Sequence, residues 1–134
     1  MSKVKMFLII KDQSERVEGK NFREIGGMPL HIYFMMRRLH FKIYIDTDSE
    51  RIFEEYSSDK WPNVVVYMRH QAHIDIENSG VISPAPLMIK RFLDEYVTDE
   101  NEAIVTSHIT SPFLEDSTVL AALEELKDKN YDSV

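Results

Sequence analysis

Five consecutive apolar residues, Met6-Phe7-Leu8-Ile9-Ile10, stand within the first ten positions of this chain. A strand with one wet face alternates apolar and polar side chains. An unbroken run has no face to give to water, so it must be covered on both sides, as a central parallel strand flanked by helices is. The rest of the sequence agrees with that demand. Val4–Ile10 reads as the first strand, and Pro29 opens a helix that runs to about Leu39. The alternating Phe41–Ile45 reads as the second strand, followed by a helix capped by Asp48 or Ser49 that continues through Tyr56. Val64–Tyr67 is a third strand. Pro84 and Pro86 open an amphipathic helix through Tyr96, and Ala103–Thr106 is a fourth strand. Ser117 caps a last helix with Leu120, Leu123 and Leu126 on one face, and Tyr131-Asp132-Ser133-Val134 reads as the start of a fifth strand. No element is assigned to residues 70–83. Strands and helices that alternate in this way predict one α/β domain over residues 1–134: a Rossmann-like parallel sheet, mixed at an edge, with helices on both faces.

Composition narrows the function. A net charge of −7 over 134 residues argues against general nucleic-acid binding, which needs a basic stripe. It leaves room for a small basic pocket. The absence of cysteine removes disulfides, thiolate-bound zinc and thiol nucleophiles. His70 and His73 are three residues apart, but no strong third metal ligand lies near them in sequence, so they read as loop residues beside the cleft. No apolar run is long enough to cross a bilayer, and the N-terminus has no signal-peptide pattern. The expectation is a soluble, cytoplasmic protein with no membrane partner.

Ligands of open α/β sheets sit beyond the carboxyl ends of the strands. The segments at those positions are polar and basic. After the first strand come Lys11, Ser14, Arg16, Lys20 and Asn21, with Gly19 among them. A strand that runs into a basic, glycine-containing loop and then a helix is a phosphate-binding layout, in which backbone N–H groups and cations face the polyphosphate. The spacing is neither that of a Walker loop nor that of a dinucleotide fingerprint. An ordinary solvated loop has the same composition. Arg69 follows the third strand, and His108 to Pro112 follow the fourth. Asp46 and Asp48 follow the second; capping and turn formation is the preferred reading for them, with a metal site as the alternative.

These segments resemble the sugar-activating cytidylyltransferases: the acylneuraminate (CMP-sialic acid) synthetases and their relatives for other nonulosonic acids and for Kdo. Ser14, Arg16, Lys20 and Asn21 match the N-terminal signature of that family. Lys11 stands where the family usually has Arg, and Glu18 where it usually has Pro. Gly27-Met28-Pro29-Leu30 resembles the family's Gly-Lys-Pro-Leu, and Ile45-Asp46-Thr47-Asp48-Ser49 its Val-Ser-Thr-Asp-Ser. Ser107-His108-Ile109-Thr110-Ser111-Pro112 resembles its Leu-Gln-Pro-Thr-Ser-Pro, with His108 in place of the nucleotide-contacting Gln.

The resemblance implies a nucleotidyltransferase-type fold and a reaction in which CTP and a nonulosonic sugar acid give the CMP-sugar and pyrophosphate. Lys20 and Arg16 would act on the triphosphate. Lys11, Ser14, Asn21, Arg69, Ser79, His108 and Ser111 would contact the nucleotide, with Mg2+ bridging the phosphates. No metal ligand is assigned within this chain. Family members are homodimers that continue well beyond Val134 into the sugar-binding half, so the chain is expected to be a nucleotide-binding half with weak or no turnover alone. A nucleotide-sugar glycosyltransferase, suggested by the Asp-x-Asp shape of residues 46–48, is an alternative reading. A non-catalytic module that kept the fold is another.

Overall fold

The computed structural model describes residues 4–12, 23–99, 102–108 and 115–128. The first strand, β1 (Val4–Ile10), lies in the middle of a sheet. A two-residue ribbon follows, β2 (Glu24–Ile25) and β3 (Met28–Pro29), and then helix α1 (Leu30–Met36). Next come β4 (Phe41–Thr47), α2 (Glu50–Tyr56), β5 (Val64–Met68), α3 (Gln71–Ser79), α4 (Ala85–Tyr96), β6 (Ile104–Ser107) and α5 (Asp116–Asp128). The sheet order is β5-β4-β1-β6 and all three pairings are parallel. Among the described residues antiparallel pairing occurs only in the separate β2–β3 ribbon. Gly26 and Gly27 both hold positive φ, 60° and 83°, so the ribbon closes with the two-residue turn that only such residues form easily.

The unbroken apolar run is explained by its two cores. Met6, Leu8 and Ile10 point to a core built with Phe34 and Met35 of α1, Ile52 and Tyr56 of α2, and Leu123 of α5. Phe7 points the other way, into a core with Tyr44, Tyr67, Met88 and Phe92, so α4 covers the second face. Phe92 stacks on Phe7 with ring centroids 4.9 Å apart, and Tyr44 lies 5.2 Å away on its other neighbour strand.

Three boundaries differ from the sequence reading. Helix α1 ends at Met36 and not near Leu39, because Arg38 turns inward. Its side chain is fully buried, with its guanidinium 4.4 Å from the Phe34 ring centroid and 3.3 Å from Asp116. Helix α5 begins at Asp116, so Ser117 lies inside the helix and does not cap it. Residues 71–79, which carry no predicted element, form a helix. It is closed by Gly80 at φ 71°, a left-handed C-cap that an L side chain resists. The proposed fifth strand at 131–134 lies outside the described residues.

The second core is thin and aromatic, so it depends on a few rings. Phe92→Ala is expected to cost about 3–5 kcal/mol in unfolding free energy. Leu87→Ala, on the same helix but 41% exposed, is expected to fall within about 0.5 kcal/mol of wild type. Denaturant titration of the two variants side by side checks both values.

Candidate functional site

In this strand order, β4 leaves β1 on one side and β6 returns to the other. The crevice beyond the carboxyl ends of the strands is therefore where a ligand is expected. The end of β1 is stitched to the turn after β4. Thr47 Oγ1 donates to the Ile10 carbonyl at 2.6 Å and accepts from the Ser49 amide at 3.0 Å. Asp48 accepts from the Asp12 amide at 2.9 Å. Ser49 caps α2 by accepting from the Ile52 amide, and donates to Asp12 at 2.7 Å. The 46–49 block thus holds the start of the loop that leaves β1.

Arg69 stands at the centre of the described site. Its amide donates to the Thr47 carbonyl at 2.8 Å, which fixes the residue just past the end of β5. Its side chain is 1% exposed and Nη1 donates to Glu77 of α3 at 2.6 Å. Glu77 also pairs with Lys11, so one carboxylate joins the exits of β1 and β5. Behind Arg69 lies Asp46, with no exposed surface and its Oδ1 3.7 Å from Arg69 Nε. Asp48 is 3.9 Å from Arg69 Nη1. Burial is the largest influence on Asp46 and pushes its carboxyl up to about 6, against the pull of Arg69, Arg91 and His70. Capping and turn formation therefore hold for Ser49, whereas Asp46 is a buried partner of Arg69. The linkage sign follows: the fold prefers the neutral acid, and the stability this gives is present below about pH 4 and lost as pH rises through about 6.

A cavity of about 370 Å³ opens beside this cluster, lined by Lys11, Arg69 and Glu77 on one side and by the α3–α4 connection, Gly80 to Ala85, on the other. Its size lies within the range of about 300–1,000 Å³ common for small-molecule sites. Exposed Val81 and Ile82 stand at its rim. The two cations are balanced by the carboxylates of Asp46, Asp48 and Glu77, so the cavity suits a neutral, polar ligand portion better than a polyphosphate.

Of the residues singled out from sequence, Lys11 and Arg69 are brought together here. Ser79 is not: it is exposed at the end of α3, and its hydroxyl donates to the Ile76 carbonyl at 2.6 Å. His108 is exposed just past the end of β6, on the strand next to β1. Ser14, Arg16, Lys20, Asn21 and Ser111 lie outside the described residues. His70 and His73 have ring centroids 5.3 Å apart, yet no group of three metal-ligating side chains is present among the described residues. The family resemblance suggests Glu77-Asn78-Ser79-Gly80 as a pocket-lining segment against ribose or base, and Glu77 and Gly80 do line this cavity, but nothing in the sequence marks Glu77 as the bridge or Asp46 as a buried charge. A glycine three residues after Glu77 was the available sign that a helix, and not a loop, presents it.

The sequence profile of the cytidylyltransferases matches residues 12–134. The chain belongs to the cytidylyltransferase family. A comparison with curated proteins finds no match. Two solved structures share the fold. One is a CMP:2-keto-3-deoxy-manno-octonic acid synthetase complexed with CTP, with TM-score 0.58 and 17% identity over 97% of this chain and 49% of that one. The other is a cytidylyltransferase from Leptospira borgpetersenii serovar Hardjo-bovis (strain JB197), with TM-score 0.61 and 17% identity over 92% of this chain and 48% of that one. This cytidylyltransferase-family chain spans about half the length of the solved structures it matches.

Removing Arg69 leaves Asp46 as a buried charge without its cation. Arg69→Met is expected to cost about 3 kcal/mol at neutral pH. The share due to Asp46 should vanish below pH about 6, where that carboxyl is already neutral in the fold. Unfolding free energies of wild type and variant, compared on both sides of that value, check it.

Proposed function

We propose that this chain is the CTP-binding half of a cytidylyltransferase that transfers CMP from CTP to a nonulosonic, sialic-acid-like sugar acid and releases pyrophosphate. The observation that carries this reading is the site of the small, charge-balanced cavity. It adjoins the exit of β1, within a chain whose residues 12–134 match the cytidylyltransferase profile. The cavity would receive the cytosine and ribose. The loop that leaves β1 would carry the triphosphate, because Arg16 and Lys20 are its cations and the cavity itself has none to spare. Lys11, at the junction, would sit between the two. Ser14 and Asn21 would fix the loop by hydrogen bonds, and His108 and Ser111 would approach from the neighbouring strand end.

In the proposed reaction the sugar's anomeric hydroxyl oxygen forms a bond to the α-phosphorus. The bond from that phosphorus to the bridging oxygen breaks, pyrophosphate leaves with the electron pair, and the proton of the attacking hydroxyl is released to solvent. The task of Lys20 and Arg16 is to hold the chain of phosphates in line and neutralise the charge that develops on the leaving group. The Mg2+ implied for such a reaction does not fit the described residues alone. Asp46 is buried against Arg69 and Asp48 is bonded to the Asp12 amide, with no third carboxylate or histidine completing a set. No step is therefore drawn through a metal here. The sugar acid, a second subunit and a cytoplasmic location belong to the proposal for the longer protein.

Calorimetric titration with CTP, UTP and ATP tests the reading. CTP is expected to bind best, and Lys20→Ala to weaken it by at least about tenfold. A folded chain that binds none of the three nucleotides overturns the proposal. Preference for a UDP-sugar over CTP would transfer the reading to a glycosyltransferase.

A further inference from the structure

The reading above uses Arg69 but gives no role to the group behind it. Asp46 is buried without exposed surface, and neither of its carboxylate oxygens accepts a hydrogen bond from the described residues. A buried carboxylate left in this condition is costly, so a fold that served only itself would do better with a neutral residue there. Its nearest cation is equally incomplete. Arg69 commits Nη1 to Glu77, while Nε and Nη2 are buried without a hydrogen-bond partner among the described residues. Arg69 is also a wall of the cavity. The arrangement places the Arg69 guanidinium in the cavity wall with a carboxylate at its back.

We propose that Asp46 is a positioning residue for the nucleotide: from behind, it fixes and balances the Arg69 guanidinium, so that Arg69 holds the wall of the cavity in the shape that receives the pyrimidine nucleoside. This rests on the proposed function. The register accounts for the placement. Asp46 pairs with Ile9 on one side and Tyr67 on the other, two residues before Arg69, so its side chain lies beneath the Arg69 turn. Glu77 fixes one end of the guanidinium from α3, and Asp46 supplies the second anchor, at Nε. With one anchor the guanidinium can swing about the Glu77 contact; with two it has one orientation.

Among the described residues, the other ionisable groups acting on Asp46 are Arg91, His70, Asp48 and Tyr67. Arg91 reaches it from α4, where its guanidinium lies 4.6 Å from the Tyr67 ring centroid. His70 acts from the start of α3, Asp48 from the turn after β4, and Tyr67 from β5. Arg91 is tied to the Met68 carbonyl and to Glu95, so it is held away from the ligand. Protonation of Asp46 would remove the rear charge and release Arg69. Because burial raises the Asp46 carboxyl to about 6, this change falls close to neutral pH.

The test compares cytidine and CTP affinity of wild type and Asp46→Asn between about pH 5 and about pH 8, the range in which histidines also titrate. The wild-type/variant ratio is the readout, because histidines and ligand ionise alike in both. The proposal expects Asp46→Asn to bind about tenfold more weakly at the alkaline end and equally at the acid end, with thermal stability not reduced. Equal affinity of the two proteins at every pH overturns it. A second measurement needs no variant. The Asp46 carboxyl, followed by carbon NMR in wild type, should titrate at lower pH when nucleotide is bound, by reciprocal linkage. A titration unmoved by nucleotide also overturns the proposal. Failure of wild type to bind any nucleotide is a separate outcome, which removes the proposed function and this inference with it.

Discussion

Strand β1 is buried on both faces, and its connections must therefore leave from its ends. Met6, Leu8 and Ile10 fill one core and Phe7 the other. With β4 and β6 on its two edges, no side of β1 is left for a ligand. The loop that leaves Ile10 is the first place where the chain can turn to solvent and chemistry. The hydrogen bond from Thr47 to the Ile10 carbonyl fixes that exit against β4, and the Arg69 amide fixes the β5 exit against Thr47. Three strand ends are thus locked in register by two short contacts through one threonine.

The same geometry decides the electrostatics. Three carboxylates, Asp46, Asp48 and Glu77, approach one guanidinium at 3.7, 3.9 and 2.6 Å. Lys11 offsets part of that charge through Glu77. A triphosphate placed in this cavity would meet roughly balanced charge and gain little, whereas a neutral base with hydrogen-bonding edges would meet directed donors and acceptors. That division assigns the nucleoside to the cavity and the phosphates to the more basic loop beside it.

Much of this architecture is legible in the sequence because it follows from local pattern. The apolar run fixes β1, the Ser49 cap fixes the start of α2, and the Pro84 turn fixes the start of α4. Helix α3 was not legible: its residues lack a strong apolar stripe, and only His73 of its nine is buried. Its Glu77 meets Lys11 and Arg69, just past the ends of β1 and β5, contacts that no local window contains. Asp46 was misread for the same reason. An acidic residue before Thr47-Asp48-Ser49 resembles a turn or cap, and its burial depends on pairing with Tyr67 some twenty residues away. Arg69 and Lys11 could be singled out from sequence because strand-end position is itself local information.

A second cavity, about 890 Å³, lies at the opposite end of the sheet, lined by Met36, Leu39, Trp61 and three lysines, Lys5, Lys42 and Lys60. It adjoins the starts of β1 and β4, away from every strand exit discussed above. It therefore offers a direct contrast for the central claim, that the nucleoside binds at the Arg69–Glu77 cavity. Amide chemical-shift mapping during titration with CTP separates the two. The account predicts shifts at Lys11, Arg69, Glu77 and the residues from Gly80 to Ala85, with Lys42 and Asn63 unmoved. Shifts confined to the groove around Lys42, Trp61 and Asn63, with the Arg69 cavity silent, would contradict it.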